Sequence, residues 1–469
     1  MYIMSEKRTD NNMNTTELEF INIYGLFGRY DIKIPFDKEV NIFIGENGLG
    51  KTTVLNCIYY ILEKKFTKLE TVNFLEIHIK FRNESKVHEI STYDVASYNL
   101  KRSGYHGVYM DYTYLEHLLN DFNFKITDAG ISEEEIEYLV RKIARQTDMP
   151  ISVARRQIIN YIRNNEFPNR KEAKKGDNKK IDNLISSISK NIQQRIIYLP
   201  TYRRIEDDFN KLNIKSDEFN KAELLIRFGM SDVQNSIEKI LGEIRIEAMK
   251  GFNEMTGVLL KQYADGGNII STTDILLSSV DIETVKIVLN RVGNEIEEAY
   301  KEKILKLIEK REIYNNDYLY LLNLIGKLIS NYDLQKKYDD RIKKFTETCN
   351  KYLNNKKFYY NQSTLTLEVY LDDIYQEEVT IKLTQLSSGE KQIVSLFSKL
   401  YLESDEKSII IIDEPELSLS LNWQKMLLPD IMRTNNCKLL ITVTHSPFIF
   451  ENEFDFDAKE MRKYIRMHN

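Results

Sequence analysis

The sequence predicts an α/β fold in which both ends of the chain supply a mixed sheet and the middle supplies a large helical insertion. Three observations predict it. Short, intensely apolar runs of the kind that fill a parallel sheet, Val40–Ile44, Ser408–Ile412 and Leu439–Val443, lie near the two ends. A glycine-rich turn follows the first run and opens a helical pattern. Between residues 115 and 357 helical periodicity dominates. The expected divisions are an N-terminal lobe over 1–114, a mainly helical insertion over 115–357 with one short core strand near 195–204, and a C-terminal lobe over 358–469.

Taken in order, Glu17–Ile23 and Tyr30–Ile34 place apolar side chains at every second position, with Gly25 and Gly28 between them, and read as an antiparallel pair. Thr53–Lys65 reads as a helix, and Thr71–Ile90 returns to alternation as a sheet edge or meander. Leu115–Ile192 is helical, with Arg195–Leu199 a short strand before Pro200. Helices resume from Lys221 to Leu353. There Ile282, Val285, Leu289, Val292 and Ile296 form one apolar stripe, to be packed within the chain or across a subunit contact. Phe358–Lys382 reads as two further strands.

Composition restricts the function. The 469 residues exceed one ordinary core. Hydrophobic residues make up 42% and charged residues 29%, a globular rather than disordered balance. Lys and Arg total 66 against 71 Asp and Glu, a formal charge of −5, which excludes a general nucleic-acid coat. The 3 cysteines lie far apart without a CxxC pair, arguing against a disulfide framework or a cysteine zinc site. No signal-like leader or membrane-length apolar run is present, so a cytoplasmic protein is expected.

The chemistry concentrates in a few segments. Gly45-Glu46-Asn47-Gly48-Leu49-Gly50-Lys51-Thr52 satisfies GxxxxGK[ST] between a buried strand and a helix. Its glycines let backbone N–H groups converge on phosphate oxygens, and the helix start adds its dipole. The expected ATP contacts are Gly45, Asn47, Gly48, Gly50, Lys51, Thr52 and Thr53, with Lys51 on the β- and γ-phosphates and Thr52 on Mg²⁺. Near the other end, Leu386-Ser387-Ser388-Gly389-Glu390-Lys391-Gln392 opens a helix capped by Ser387 and Ser388, a second anion-suited start. Ser408–Ile412 then runs into Asp413 and Glu414. The first is placed for the Mg²⁺ shell, and the second is placed to orient or deprotonate water. Leu439–Val443 leads to Thr444-His445-Ser446-Pro447, which sets His445 at the sheet edge where such folds bind ligands and in reach of a γ-phosphate.

This order of P-loop, signature helix, Walker B, D-loop and switch histidine resembles the ABC ATPase superfamily. GENGLGKTT, LSSGEKQ, IIIIDEPELSLS and ITVTHSP look like the branch of recombination, OLD-type and antiphage ATPases more than the transporter branch, because Ser388 stands where transporters usually carry a glycine. Ser420 stands where many relatives have a histidine and is assigned no role. The resemblance implies an ABC-type head and ATP hydrolysis with Lys51, Glu414 and His445 catalytic. It also implies a homo-oligomer in which Ser387, Ser388, Gly389 and Glu390 serve a neighbouring subunit's ATP. Tyr198–Glu206 looks like the segment of stand-alone defence ATPases, the AriA family of PARIS systems and next the PtuA family of Septu systems and some retrons. Arg203 and Arg204 are then contacts to nucleotide or to a subunit, or else a solvated pair after a strand.

That resemblance further implies partners: a separate effector nuclease of the Toprim type, similar to AriB, and a phage-encoded trigger protein of DNA-mimic kind. The short stretch after His445 does not accommodate a fused Toprim nuclease, so the effector is expected on another chain. The alternative is a RecF-like repair ATPase acting directly on DNA. For that reading the candidate surface is Arg141–Arg163, whose acidic interruption and apolar positions suit an ordinary amphipathic helix pair better; a functional face there would meet DNA or an acidic protein trigger.

Overall fold

The computed structural model describes residues 16–46, 48, 50–102, 133–147, 178–200, 229–264, 281–293, 296–371, 379–434 and 436–468, with 151, 154, 155 and 158 besides. The chain forms two compact units. One comprises Met1–Thr201, Glu406–Glu416 and Gln424–Asn469, the other Tyr202–Asp405 and Leu417–Trp423. In chain order the elements begin with strands β1 (Leu18–Leu26), β2 (Tyr30–Pro35) and β3 (Val40–Ile44), then helices α1 (Lys51–Leu62) and α2 (Phe66–Leu69). Next come β4 (Glu76–Phe81), β5 (Val87–Ser91), α3 (Thr92–Arg102), α4 (Glu133–Thr147), α5 (Asn178–Asn191) and β6 (Arg195–Leu199). Helices α6 (Met230–Ala264), α7 (Ile282–Arg291), α8 (Glu298–Glu309) and α9 (Leu319–Asn350) follow. After them lie β7 (Lys356–Asn361), β8 (Thr366–Leu371), β9 (Val379–Ile381) and α10 (Ser388–Tyr401). The last are β10 (Ser408–Asp413), α11 (Leu421–Met432), β11 (Cys437–Thr444), β12 (Ala458–Glu460) and β13 (Ile465–Met467).

The first unit carries two sheets. The parallel one has the order β12-β3-β11-β10-β6 and is drawn from both chain ends. Its central strands β3, β11 and β10 read as near-continuous apolar runs because both faces are covered; Ile42, Ile410, Ile411, Leu440 and Ile441 are wholly inaccessible. Helix α1 lies against this sheet, with Tyr59 stacked on Tyr198 of β6 at 4.9 Å. The other sheet, β13-β2-β1-β4-β5, is antiparallel and alternates buried and half-exposed positions, as the sequence pattern requires. Helix α5 belongs to this unit, although its sequence groups with the insertion. Ser187 and Asn191 of α5 donate to the carboxylate of Glu84 at 3.1 and 2.7 Å, in the turn between β4 and β5.

The second unit is mostly helical. The apolar stripe of α7 packs within the chain: Val285 and Leu289 join Leu307, Ile313, Leu322 and Ile325 in one cluster. The helix stops at Arg291 rather than running to Ile296, because Gly293 turns the chain at φ 94°. Beneath it Arg291 donates to both oxygens of the fully buried Asp339 at 2.8 Å, to Gln335 at 2.7 Å and to the Gln362 carbonyl at 2.9 Å. The Tyr360 hydroxyl donates to the same carboxylate, and Tyr332 lies under the guanidinium at 4.9 Å. Where two strands were expected over Phe358–Lys382, the structure has the antiparallel sheet β7-β8-β9, with the third strand beyond residues 372–378.

Candidate nucleotide site

Three neighbouring parallel strands, β3, β11 and β10, end in register, with Ile44 beside Thr444 and Asp413 beside Val443. Each strand end delivers one part of the site: the glycine loop, His445, and the Asp413–Glu414 pair. Helix α1 begins at Lys51 behind Gly50, whose left-handed φ of 73° forms the turn into it. That conformation favours glycine; a Cβ there would also approach Phe27 Cε2 to 2.9 Å, the tip of an exposed ring that can move aside.

Lys51 is buried at 5% exposure. Its Nζ donates to the carbonyls of Gly45 and Glu46 at 2.8 and 2.9 Å and stands 2.6 Å from His445 Nε2. Burial lowers the Lys51 pKa below its ordinary value, against the opposing pull of Glu414, Asp413 and Glu416. The Thr52 hydroxyl donates to Asp413 Oδ2 at 2.8 Å, which joins two hard oxygen donors at the helix start. Gly45 and Gly48 complete the described loop, with Gly48 at φ 88°, and Thr53 follows half-buried on α1. Asn47 lies outside the described residues, as do Arg203 and Arg204.

Glu414 adopts φ 50°, a left-handed conformation rare for a side chain this long and costing about 1–2 kcal/mol. Its amide N–H still donates to the Val443 carbonyl of β11 at 2.9 Å, one residue past the end of β10. Burial first, and then the Asp413 charge, raise its carboxyl pKa, with His445 and Lys51 pulling the other way. His445 Nε2 lies 3.6 Å from Glu414 Oε1. The arrangement presents an ammonium and a helix start to a polyanion, an oxygen pair to a divalent cation, and a proton-accepting carboxylate beside an imidazole.

Two side chains that the motif reading passed over hold this edge together. Glu416 accepts from the Thr444 hydroxyl at 2.7 Å and from the His445 amide at 2.6 Å. Gln424 accepts from the Ser446 hydroxyl at 2.6 Å, and its amide donates to the Glu416 carbonyl at 3.4 Å. Their only trace in sequence is polarity at either end of Leu417–Trp423, which does not distinguish them from solvated residues.

The signature helix α10 belongs to the other unit. Ser387 is its N-cap, and Ser388, expected as a second cap, is instead its first helical residue. Glu390 closes a capping box. It accepts from the Ser387 amide at 2.7 Å, while its own amide donates to Ser387 Oγ at 3.4 Å, leaving the hydroxyl proton of Ser387 to point elsewhere. Lys356 donates to both oxygens of Glu390, at 3.0 and 2.7 Å. Burial pushes the Glu390 pKa up, but the bonds from Lys356 and Ser387 outweigh it and hold the carboxyl below its ordinary range. Gly389 packs so closely on the D-loop that an added Cβ would lie 2.4 Å from the Ser418 carbonyl and 3.2 Å from the Trp423 ring.

Among the described residues no cluster of three or more His, Cys, Asp or Glu is arranged to hold a metal ion, and no helix is long and apolar enough to cross a membrane. The chain is similar to the Smc head domain with an extended coiled coil bound to the C-terminal domain of ScpA, from Pyrococcus furiosus. That match has 12% identity and a TM-score of 0.35 over 92% of this chain and 90% of that one. It is also similar to an SmcHead bound to the C-winged helix domain of ScpA, with 10% identity and a TM-score of 0.35 over 94% and 91%. No curated protein matches it. The AAA ATPase domain model matches residues 17–450, a span running from β1 past His445 and therefore including every strand end that builds the site. The chain belongs to the AAA ATPase domain family.

Proposed function

We propose that this protein binds and hydrolyses ATP as the sensor and scaffold of an antiphage defence system, holding a separate effector nuclease and releasing it on a phage trigger. The observation that carries the hydrolytic half is the convergence of Lys51, Thr52–Asp413, Glu414 and His445 on one sheet edge. Lys51 and the loop glycines bind the β- and γ-phosphates. Thr52 and Asp413, already paired through hard oxygens, would hold Mg²⁺, which when bound neutralises phosphate charge. Glu414, with its raised pKa, accepts the proton of the attacking water, and His445 contacts the γ-phosphate. Ser387, Ser388 and Gly389 complete a second subunit's site, with the uncommitted Ser387 hydroxyl as donor.

The defence half rests on the likeness of LSSGEKQ and IIIIDEPELSLS to the branch of recombination, OLD-type and antiphage ATPases, and of Tyr198–Glu206 to AriA and PtuA ATPases. The partners are a Toprim-type nuclease similar to AriB and a DNA-mimic trigger, and the protein works in the cytoplasm as a homo-oligomer. Two variants test the hydrolytic reading. Lys51→Ala abolishes ATP binding in equilibrium titration, whereas Glu414→Gln retains binding and slows turnover by about 100-fold or more. Wild-type turnover by Glu414→Gln refutes the assignment. For the scaffold role, the neighbouring nuclease co-purifies with the wild type and is released by trigger only when Lys51 and Glu414 are intact. Release from Lys51→Ala at the wild-type level refutes it.

A further inference from the structure

We infer that Glu416 is a positioning residue for hydrolysis, fixing His445 by clamping the end of β11; this rests on the ATPase reading above. Both oxygens of the Glu416 carboxylate are engaged, one by the Thr444 hydroxyl at 2.7 Å and one by the His445 amide at 2.6 Å. Charge-assisted bonds this short are stronger than neutral ones. A carboxylate so occupied does not activate water; it holds backbone. The backbone it holds is the residue whose imidazole stands 2.6 Å from Lys51 Nζ and 3.6 Å from Glu414 Oε1. Thr444 is fully buried, whereas His445 is exposed and has left the strand ladder, so the clamp acts at the point where sheet pairing stops supporting the chain. Gln424 reinforces it from the far side. It receives the Ser446 hydroxyl at 2.6 Å and donates to the Glu416 carbonyl, so three successive residues, Thr444 to Ser446, are gripped.

A displaced catalytic group typically costs up to about 100-fold in rate without affecting substrate binding elsewhere in the site. Glu416→Ala is therefore expected to lower kcat by about 10- to 100-fold while ATP affinity changes less than about threefold. Glu416→Gln recovers most of the loss, because its amide oxygen accepts from His445 N–H and its NH₂ donates to the Thr444 oxygen. The deciding measurement is a double-mutant cycle in single-turnover hydrolysis. If Glu416 acts through His445, Glu416→Ala changes the rate less than about twofold once His445→Ala is present. Multiplicative losses overturn the inference, leaving the ATPase reading intact; absence of wild-type hydrolysis overturns both. If His445→Ala turns over too slowly to measure, equal loss in Glu416→Ala and Glu416→Gln overturns it, and recovery by Gln with binding intact supports it. Should Glu416→Ala not fold, Thr444→Val removes the hydroxyl's bond to Glu416, together with the acceptor of the Ser446 amide, at nearly constant shape. It is then expected to lower kcat about threefold in the wild type and to leave the His445→Ala rate unchanged.

Discussion

Gly389→Ala tests the close approach of the signature helix to the D-loop. The new Cβ would sit 2.4 Å from the Ser418 carbonyl oxygen and 3.2 Å from the Trp423 ring. Ordinary contact begins about 3.4 Å away, so the carbonyl must yield by roughly 1 Å, and it is backbone rather than the tip of a flexible side chain. Overpacking of this size costs about 1–3 kcal/mol. Alanine regains up to about 1 kcal/mol through its better helix propensity. The balance is a net loss of about 1–2 kcal/mol, expressed as a lower Tm. The function should suffer more than the stability, since the shift falls on the first turn of α10, beside the Ser387 cap. Thermal unfolding and steady-state ATPase assays, run on the same preparation, are the measurements. A Gly389→Ala protein with wild-type Tm and turnover would show that the helix and the D-loop do not meet as described.

Two further substitutions probe the second unit. Arg291→Met strips the fully buried Asp339 of its guanidinium partner and should cost about 3–5 kcal/mol in denaturant unfolding. The double change Arg291→Met with Asp339→Leu should recover a large part of that loss, and a double variant as unstable as the single one would contradict the charge argument. Lys356→Met should cost about 1–3 kcal/mol at neutral pH, less than a fully buried pair because Lys356 remains one-fifth exposed. The Glu390 pKa is depressed in the fold, so the pair's contribution is present above the ordinary carboxylate range and lost as pH falls below it. The gap between wild type and Lys356→Met should therefore narrow below about pH 4, as read by unfolding midpoints across pH.

What the sequence made legible was local. The glycine loop, the capped helix at Ser387 and the strands ending at Ile44, Asp413 and Thr444 each declare themselves within about ten residues, through period, capping chemistry or glycine placement. Strand order was not legible, since nothing within Arg195–Leu199 names β10 as its neighbour. The Glu416 and Gln424 clamp was equally hidden: its partners are 20 to 30 residues away and meet only when β11 lies beside β10. Lys356 and Glu390 are 34 positions apart, and a salt bridge at that separation leaves no periodic trace. The stripe ending at Ile296 misled because apolar spacing continues past Gly293, where the backbone turns. In that instance the glycine's conformation outweighed the pattern.

The parallel sheet has a consequence for how the chain is made. Strand β3 leaves the ribosome well before both of its hydrogen-bonded neighbours, β11 and β12, which lie beyond residue 436. The loop carrying Lys51 is therefore synthesised several hundred residues before the strands that flank it. During that interval an apolar segment, Val40–Ile44, has unpaired edges, and the long-range pairing it awaits is intrinsically slow to form. The edge that gathers the glycine loop, His445 and Asp413 is therefore assembled only after β10, β11 and β12 have been made.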